Sequence, residues 1–165
     1  MAKYQYGCVK AEYGEMDPAT GAISNKVEFD LYQNTLSIEE DEAQSTPHYK
    51  QGDPDPKVIR HGNTLRRAIF SVTDTSADSK VAWLGCTKTT VESVVTWNAP
   101  KVANKEMHKA LIFTLEDGSI ITIPNAGCIA RLSSNLNDTD IALIPVVATV
   151  KSTGLSEVAN FQWTD

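Results

Sequence analysis

Apolar and polar residues alternate along this chain in short bursts. Residues 26–32 are the cleanest case: Val27, Phe29 and Leu31 fall on one side, and Lys26, Glu28, Asp30 and Tyr32 on the other. Successive residues of a strand point to opposite faces, so this stretch predicts a half-buried strand with one polar face. Residues 36–42 continue in the same style. Leu36 and Ile38 share a face with Glu40 and Glu42, while Ser37, Glu39 and Asp41 take the other. Residues 3–13, with Tyr4, Tyr6 and Cys8 on one side, predict a first strand. "TLRRAIFSVTD" at 64–74 predicts another, and 89–100 a further one with Val91, Val95 and Trp97 aligned. "IALIPVVATV" at 141–150 is apolar on both faces and should be covered on both, with Pro145 favouring an edge or a bulge.

Breaks between these runs carry turn chemistry. "DPATG" at 17–21 reads as a turn, and the two prolines of "GDPDP" at 52–56 stop regular structure. Asp117-Gly118 stands between two apolar runs, the strongest short-range hairpin signal. One segment changes period. Asp74, Thr75 and Ser76 offer N-cap oxygens, Val81 and Leu84 can share a buried face, and Gly85 suits the C-terminal cap of a short helix. Residues 98–109, "NAPKVANKEMHK", read as a basic loop. Leu155, Phe161 and Trp163 on the last fifteen residues imply a tail that docks, on its own body or on a neighbour. The pattern predicts a mainly β fold: two packed antiparallel sheets, a sandwich or partial barrel, with one short flanking α-helix. Residues 1–150 form the single β domain, and 151–165 a C-terminal tail or inter-subunit extension.

Composition narrows the function classes. The 165 residues carry a net charge of −6, and 41% are hydrophobic. No apolar run approaches the roughly 20 residues of a membrane-spanning helix, so no membrane partner is expected. "MAKYQYGCVKAEYGE" has no apolar signal core, so a secretory route is not expected either. Cys8, Cys86 and Cys128 match no disulfide or metal spacing and read as reduced thiols packed as small apolar residues. Charge is uneven: residues 1–56 balance at −7, residues 57–110 at +5, and residues 111–165 at −4. Opposite patches on one chain favour directional self-association. A pI near 5.0 and 7% aromatics oppose a nucleic-acid-binding stripe.

A search for catalytic chemistry returns little. His48, His61 and His108 have no partner at ligand spacing, so no metal is expected. No nucleophile elbow, phosphate loop or dinucleotide fingerprint is present, and a Cys86–His108 pair is only what any such composition offers. The run Glu39, Glu40, Asp41, Glu42 lacks the Gly and Asn of a calcium loop, and adjacent acids seldom give a glycosidase separation. The expectation is a protein that is not an enzyme and needs no cofactor.

Taken in order, the features resemble the major tail tube proteins of tailed bacteriophages over residues 25–150. The resemblance rests on an acidic stretch, "SIEEDEAQSTPHYKQGD", and then on "HGNTLRRAIFSVTD". A short helix follows, ending in "VAWLGC", and after it a final hairpin and apolar strand, "FTLEDGSIITIPNAGCIARL…DIALIPVVATV". "MAKYQYGCVKAEYGE" departs from the family's opening strand. The resemblance implies two packed β-sheets with a helix at the side and homohexameric rings whose inner sheets form one barrel. It further implies that rings stack into a tube through which double-stranded DNA passes without specific binding. It implies tape-measure, baseplate or tip, and tail terminator proteins as partners, and a place in the virion tail after assembly in the bacterial host cytoplasm. On this reading Glu28, Asp30, Glu39 and Asp41 line the lumen. Their carboxylates would repel phosphate, while Val27, Phe29, Leu31, Leu36 and Ile38 pack inward. Lys101, Lys105, Met107 and Lys109 in the basic loop, with Phe161 and Trp163 in the tail, are the inter-ring candidates.

A reading from a different class is a β-sandwich carbohydrate-binding or adhesion module, with Trp83, Trp97 and Trp163 stacking on sugar rings. A small hydrolase on a β scaffold has least support.

Overall fold

The computed structural model describes residues 4–102 and 105–165. Strand accounts for 51% of the chain and helix for 5%, so the mainly β expectation holds. Twelve strands and one helix follow in order among the described residues. They are β1 (Cys8–Met16), β2 (Ile23–Phe29), β3 (Ser37–Glu40), β4 (Ser45–Tyr49), β5 (Pro56–His61), β6 (Arg66–Val72), α1 (Ala77–Leu84), β7 (Thr87–Val91), β8 (Val94–Asn98), β9 (Met107–Leu115), β10 (Ile120–Ala130), β11 (Ile144–Val150) and β12 (Gln162–Thr164).

Eight of the strands make one sheet, in the order β2-β1-β9-β10-β11-β6-β3, with β12 added beside β10. All its pairings are antiparallel. The sheet curls until its ends meet. Tyr32 N–H donates to the Ser71 carbonyl at 2.8 Å, Thr73 N–H donates to the Asp30 carbonyl at 3.1 Å, and Leu31 bridges Val72. Residues 23–40 therefore act as one broken strand. The first part pairs with β1, and the second part crosses to pair with β6. The two packed layers are the two halves of this curled sheet, a partial barrel.

Alternation explains which side of each strand is core. Ala11, Ala68, Phe70, Val72, Leu111, Phe113, Ile121, Ile123, Val146 and Ala148 are all buried, and the residues that alternate with them, Ile69, Ser71, Ile112, Thr122 and Val147, are less so. The β9–β10 hairpin turns at Asp117-Gly118 as expected. Gly118 takes φ 86°, and Asp117 Oδ1 accepts from Ser119 N–H at 3.0 Å. Pro145 differs from expectation, because β11 is an interior strand between β10 and β6. It is tolerated because it sits beyond the last β10 pair, Ala130 with Val146.

Helix α1 packs against the barrel. Ser76 Oγ accepts from Ser79 N–H at 3.3 Å, and the Gly85 N–H donates to the Val81 carbonyl at 3.1 Å. Val81 and Leu84 were the expected buried pair, yet both are only half-buried, and Trp83 is the core residue at 1% exposure. Its ring meets Tyr13, Phe29 and Phe70 edge-on at centroid distances of 5.3, 5.1 and 5.6 Å. These rings come from β1, β2 and β6, so one side chain ties together strands from both ends of the sheet. Val27, expected to face inward with Phe29, is 46% exposed. Asn25 at φ 50° and the register shift at Tyr13–Glu15 put an irregularity just before it.

Two short ribbons form separate sheets, β4–β5 and β7–β8. The second was expected as a single strand. Its turn is Glu92-Ser93, both at positive φ (48° and 71°), a conformation usually marked in sequence by Asn-Gly.

Replacing Trp83 by Ala should cost about 3–5 kcal/mol of stability, the range for deleting a large buried aromatic. Urea unfolding monitored by circular dichroism checks this, with half-exposed Trp163→Ala as the milder comparison. Cys128 is fully buried, and burial pushes its thiol up to about 12. It should resist a thiol reagent at pH ~8 in folded protein and react at once in denaturant.

Candidate functional site: the acidic face

Glu39 pairs in register with Arg67, and Glu40 with Arg66. Ile38 and its partner Ala68 point into the core, so Glu39 and Asp41 point out. On β2, Glu28 stands opposite Glu12 and precedes Phe29, the core-packed partner of Ala11, so it also points out. Asp30 precedes inward Leu31 and shares the outward face. All four carboxylates expected on one polar face do lie on the solvent side of the sheet.

The arginines were not anticipated. Arg66 Nε and Nη2 donate to Glu40 Oε2 at 3.1 and 2.9 Å, and Thr64 Oγ1 donates to Glu40 Oε1 at 2.9 Å. Arg67 Nη2 donates to Asp41 Oδ1 at 2.6 Å. The Arg66 hydrogen bonds, helped by Thr64, hold the Glu40 carboxyl below its ordinary range. Two of the four acids in the run are therefore paired, and the band is about half as negative as its sequence suggests. The signal that could have found this is the "RR" at the start of the next outward-alternating strand.

A second acidic group lies beside the helix. Glu28, Asp30, Asp74 and Asp78 line a cavity of about 200 Å³ whose floor includes Tyr13 and Trp83. Asp78 is bound by Lys88, and Asp74 accepts from the Ser76 backbone and hydroxyl. Glu12 and Glu28 face each other directly, and Lys10 Nζ reaches Glu12 at 3.0 Å. That bond, with the Glu28 charge nearby, raises the Lys10 pKa.

The inter-ring candidates separate. Lys101 and Lys105 are exposed in the loop, while residues 103 and 104 lie outside the described residues. Met107 and Lys109 belong to β9 and not to the loop. Lys109 lies over the Tyr13 ring at 4.2 Å and the Trp83 ring at 5.4 Å, and burial lowers its pKa. It serves the aromatic core, so an open contact role is not supported for it. Phe161 packs against the core beneath Arg66, whose guanidinium is 4.9 Å from its ring centre. Trp163 sits opposite Ile121 in the β10–β12 ladder and is 45% exposed. The C-terminal segment thus docks on its own body and leaves one ring open.

A cavity of about 670 Å³ opens where the broken strand parts from the start of β1. Leu31, Leu36, Ile38, Leu115 and Ile121 give it an apolar wall, and Tyr6, Glu116 and Trp163 stand among its other lining residues. Among the described residues no group of three or more His, Cys, Asp or Glu is placed to hold a metal ion. No described helix is long and apolar enough to cross a membrane. Trp83 is inside the core, and Trp97 donates its Nε1–H to the Gly85 carbonyl at 3.2 Å with Lys80 above it. Three tryptophans therefore do not form an open sugar platform. No protein-family model matches the chain, and no curated protein matches it.

Because the folded-state pKa of Glu40 is depressed, its contribution to stability is present above the ordinary carboxylate pKa of about 4.3 and is lost as pH falls through the folded value. The gap between the urea midpoints of wild type and Arg66→Ala should therefore be widest at neutral pH and narrow in acid, leaving the part due to the lost Phe161 contact.

Proposed function

We propose that this chain is a structural subunit that assembles with copies of itself into stacked rings, a tail tube of the bacteriophage kind. Double-stranded DNA passes through the tube without being held. The observation that carries the reading is the pair of open margins on the broken strand. β2 pairs only with β1 and β3 only with β6, so each leaves one side of its backbone unpaired among the described residues. Exposed margins template pairing with another chain. Copies joined there would extend one sheet around a ring, and Glu28, Asp30, Glu39 and Asp41 would share its wall.

Electrostatics supports the conduit part of the reading in a moderated form. Arg66 and Arg67 are held by Glu40 and Asp41, so neither presents a free cation to phosphate. A wall of this kind repels a polyanion weakly and offers it neither arginine of β6. Self-assembly is also favoured by the apolar residues left in water: Tyr4, Tyr6, Val91, Val94, Val95 and Val102 are each at least half exposed. Tape-measure, tip and terminator proteins would be the remaining partners, and the tail of the virion the location.

Electron microscopy of the concentrated chain, alone and with an assembled tail tip as nucleator, should show hollow tubes. Monomers under both conditions would sink the proposal. Glu39→Lys with Asp41→Lys should still give tubes, and these should retain DNA on a filter at low salt where the wild type does not. Lys101→Glu with Lys105→Glu tests the loop. Deleting residues 99–108 would cut into β9 and is not a clean test.

A further inference from the structure

The β4–β5 ribbon stands in solvent along its whole length. Of residues 45–61, all but Pro56 are exposed, and a two-stranded ribbon is marginally stable by itself in water. Its register sorts the side chains. Pro47 pairs with Ile59, and Tyr49 lies two residues on from Pro47, so these three share one apolar face; a register shift after His48 sets Pro56 opposite Tyr49. His48 and Thr46, opposite Val58 and Arg60, make the other. Tyr49 is 59% exposed and Ile59 48%. Pro47 and Pro56 lack amide donors, so both strands are poor templates for edgewise pairing. The apolar face is the docking surface that remains.

Resting on the self-assembly reading above, we propose that this face seats in the 670 Å³ cavity of a second copy, Tyr49 and Ile59 entering against Leu36, Ile38 and Trp163. None of the ribbon's residues lines the cavity of its own copy, and each copy carries both halves of the contact. A projection and a receptacle on different surfaces make a one-way contact, which propagates into a closed ring or a filament. Charge agrees with a second copy as the occupant. Lys50, Lys57 and Arg60 against Asp53 and Asp55 give the ribbon one net positive charge, so with the whole chain at −6 the remainder balances at −7. The receiving mouth includes Glu116.

The test places a photo-crosslinking phenylalanine analogue at position 49 of the full chain, at concentrations where the wild type assembles. Covalent dimers and higher species should form, and mass spectrometry should map the link to peptides holding Tyr6, Leu36–Ile38 or Trp163. Links confined to one chain, or to peptides elsewhere, overturn the inference. The neck makes a second variant clean. Gly62 N–H donates to the Gln44 carbonyl at 2.7 Å, so residues 45–61 can be removed and the ends joined without opening β3 or β6. That variant should fold and fail to assemble. Tubes without the mapped crosslink, or tubes from the excised variant, would leave the tube reading standing and remove the ribbon's role. Mapped dimers that never grow into tubes would support the ribbon contact and remove the tube. Neither crosslinks nor tubes would overturn both.

Discussion

The aromatic cluster around Trp83 holds the curled sheet in its closed form. Residues 23–40 begin as the partner of β1 and end as the partner of β6, and a strand that changes partner leaves a corner with few ladder hydrogen bonds. At that corner two backbone hydrogen bonds, Tyr32 to Ser71 and Thr73 to Asp30, and the Leu31–Val72 bridge join it to the end of β6. Packing supplies what the ladder lacks. Phe29 lies 5.6 Å from Phe70 across the junction, and Trp83 covers both. Burying one such ring gains several times the net value of a single backbone hydrogen bond. The helix is therefore more than an ornament on the barrel. With its N-cap at Ser76 and its C-cap at Gly85, it is a two-turn clamp that delivers one ring.

What the sequence made legible was what local physics decides. Period-two alternation located β2, β3 and β6, and Asp-Gly located the β9–β10 turn. The caps on both sides of α1 bounded the helix. Hidden parts were decided by tertiary partners or by unusual turn residues. β4 and β5 lack a core to alternate against, so their pattern carries no inward face. The β7–β8 turn uses Glu92-Ser93, residues that do not advertise positive φ. Trp83 replaced Val81 and Leu84 as the buried helical residue because the fold needed a large ring, and periodicity does not count volume. Lys109 looked like a free surface cation in a basic loop; only the three-dimensional register places it over Tyr13.

The acidic run shows how a candidate site can be half legible. Alternation assigned Glu39 and Asp41 to one face and Glu40 to the other, and the structure keeps that division. Cross-strand neighbours, 26 residues away in sequence, then change the electrostatics. Arg66 takes the inner-parity carboxylate and Arg67 an outer one. Exposed pairs of this kind add little stability. Their larger consequence is for the surface: two anions and two cations are already matched, so in the proposed tube this stretch would offer phosphate neither arginine. Repulsion strong enough to exclude DNA from a channel would hinder passage as surely as attraction would. As the wall of the proposed tube, a half-neutralised band would lie between those extremes.

Stability and assembly make opposite demands on the broken strand. A monomer would gain from pairing both sides of residues 23–40 and from closing the gap at the start of β1. The chain leaves the margins open and keeps an apolar cavity in water beside them, while a ribbon with an apolar face stands clear of the body. Each of these features costs free energy in an isolated copy, and each is a surface that another copy can cover. The cost is bearable because the core does not depend on them: Trp83 and the strands around it are complete within one chain. That division, a self-sufficient barrel carrying unsatisfied outer elements, is the arrangement expected of a subunit that must fold alone and then be driven to join.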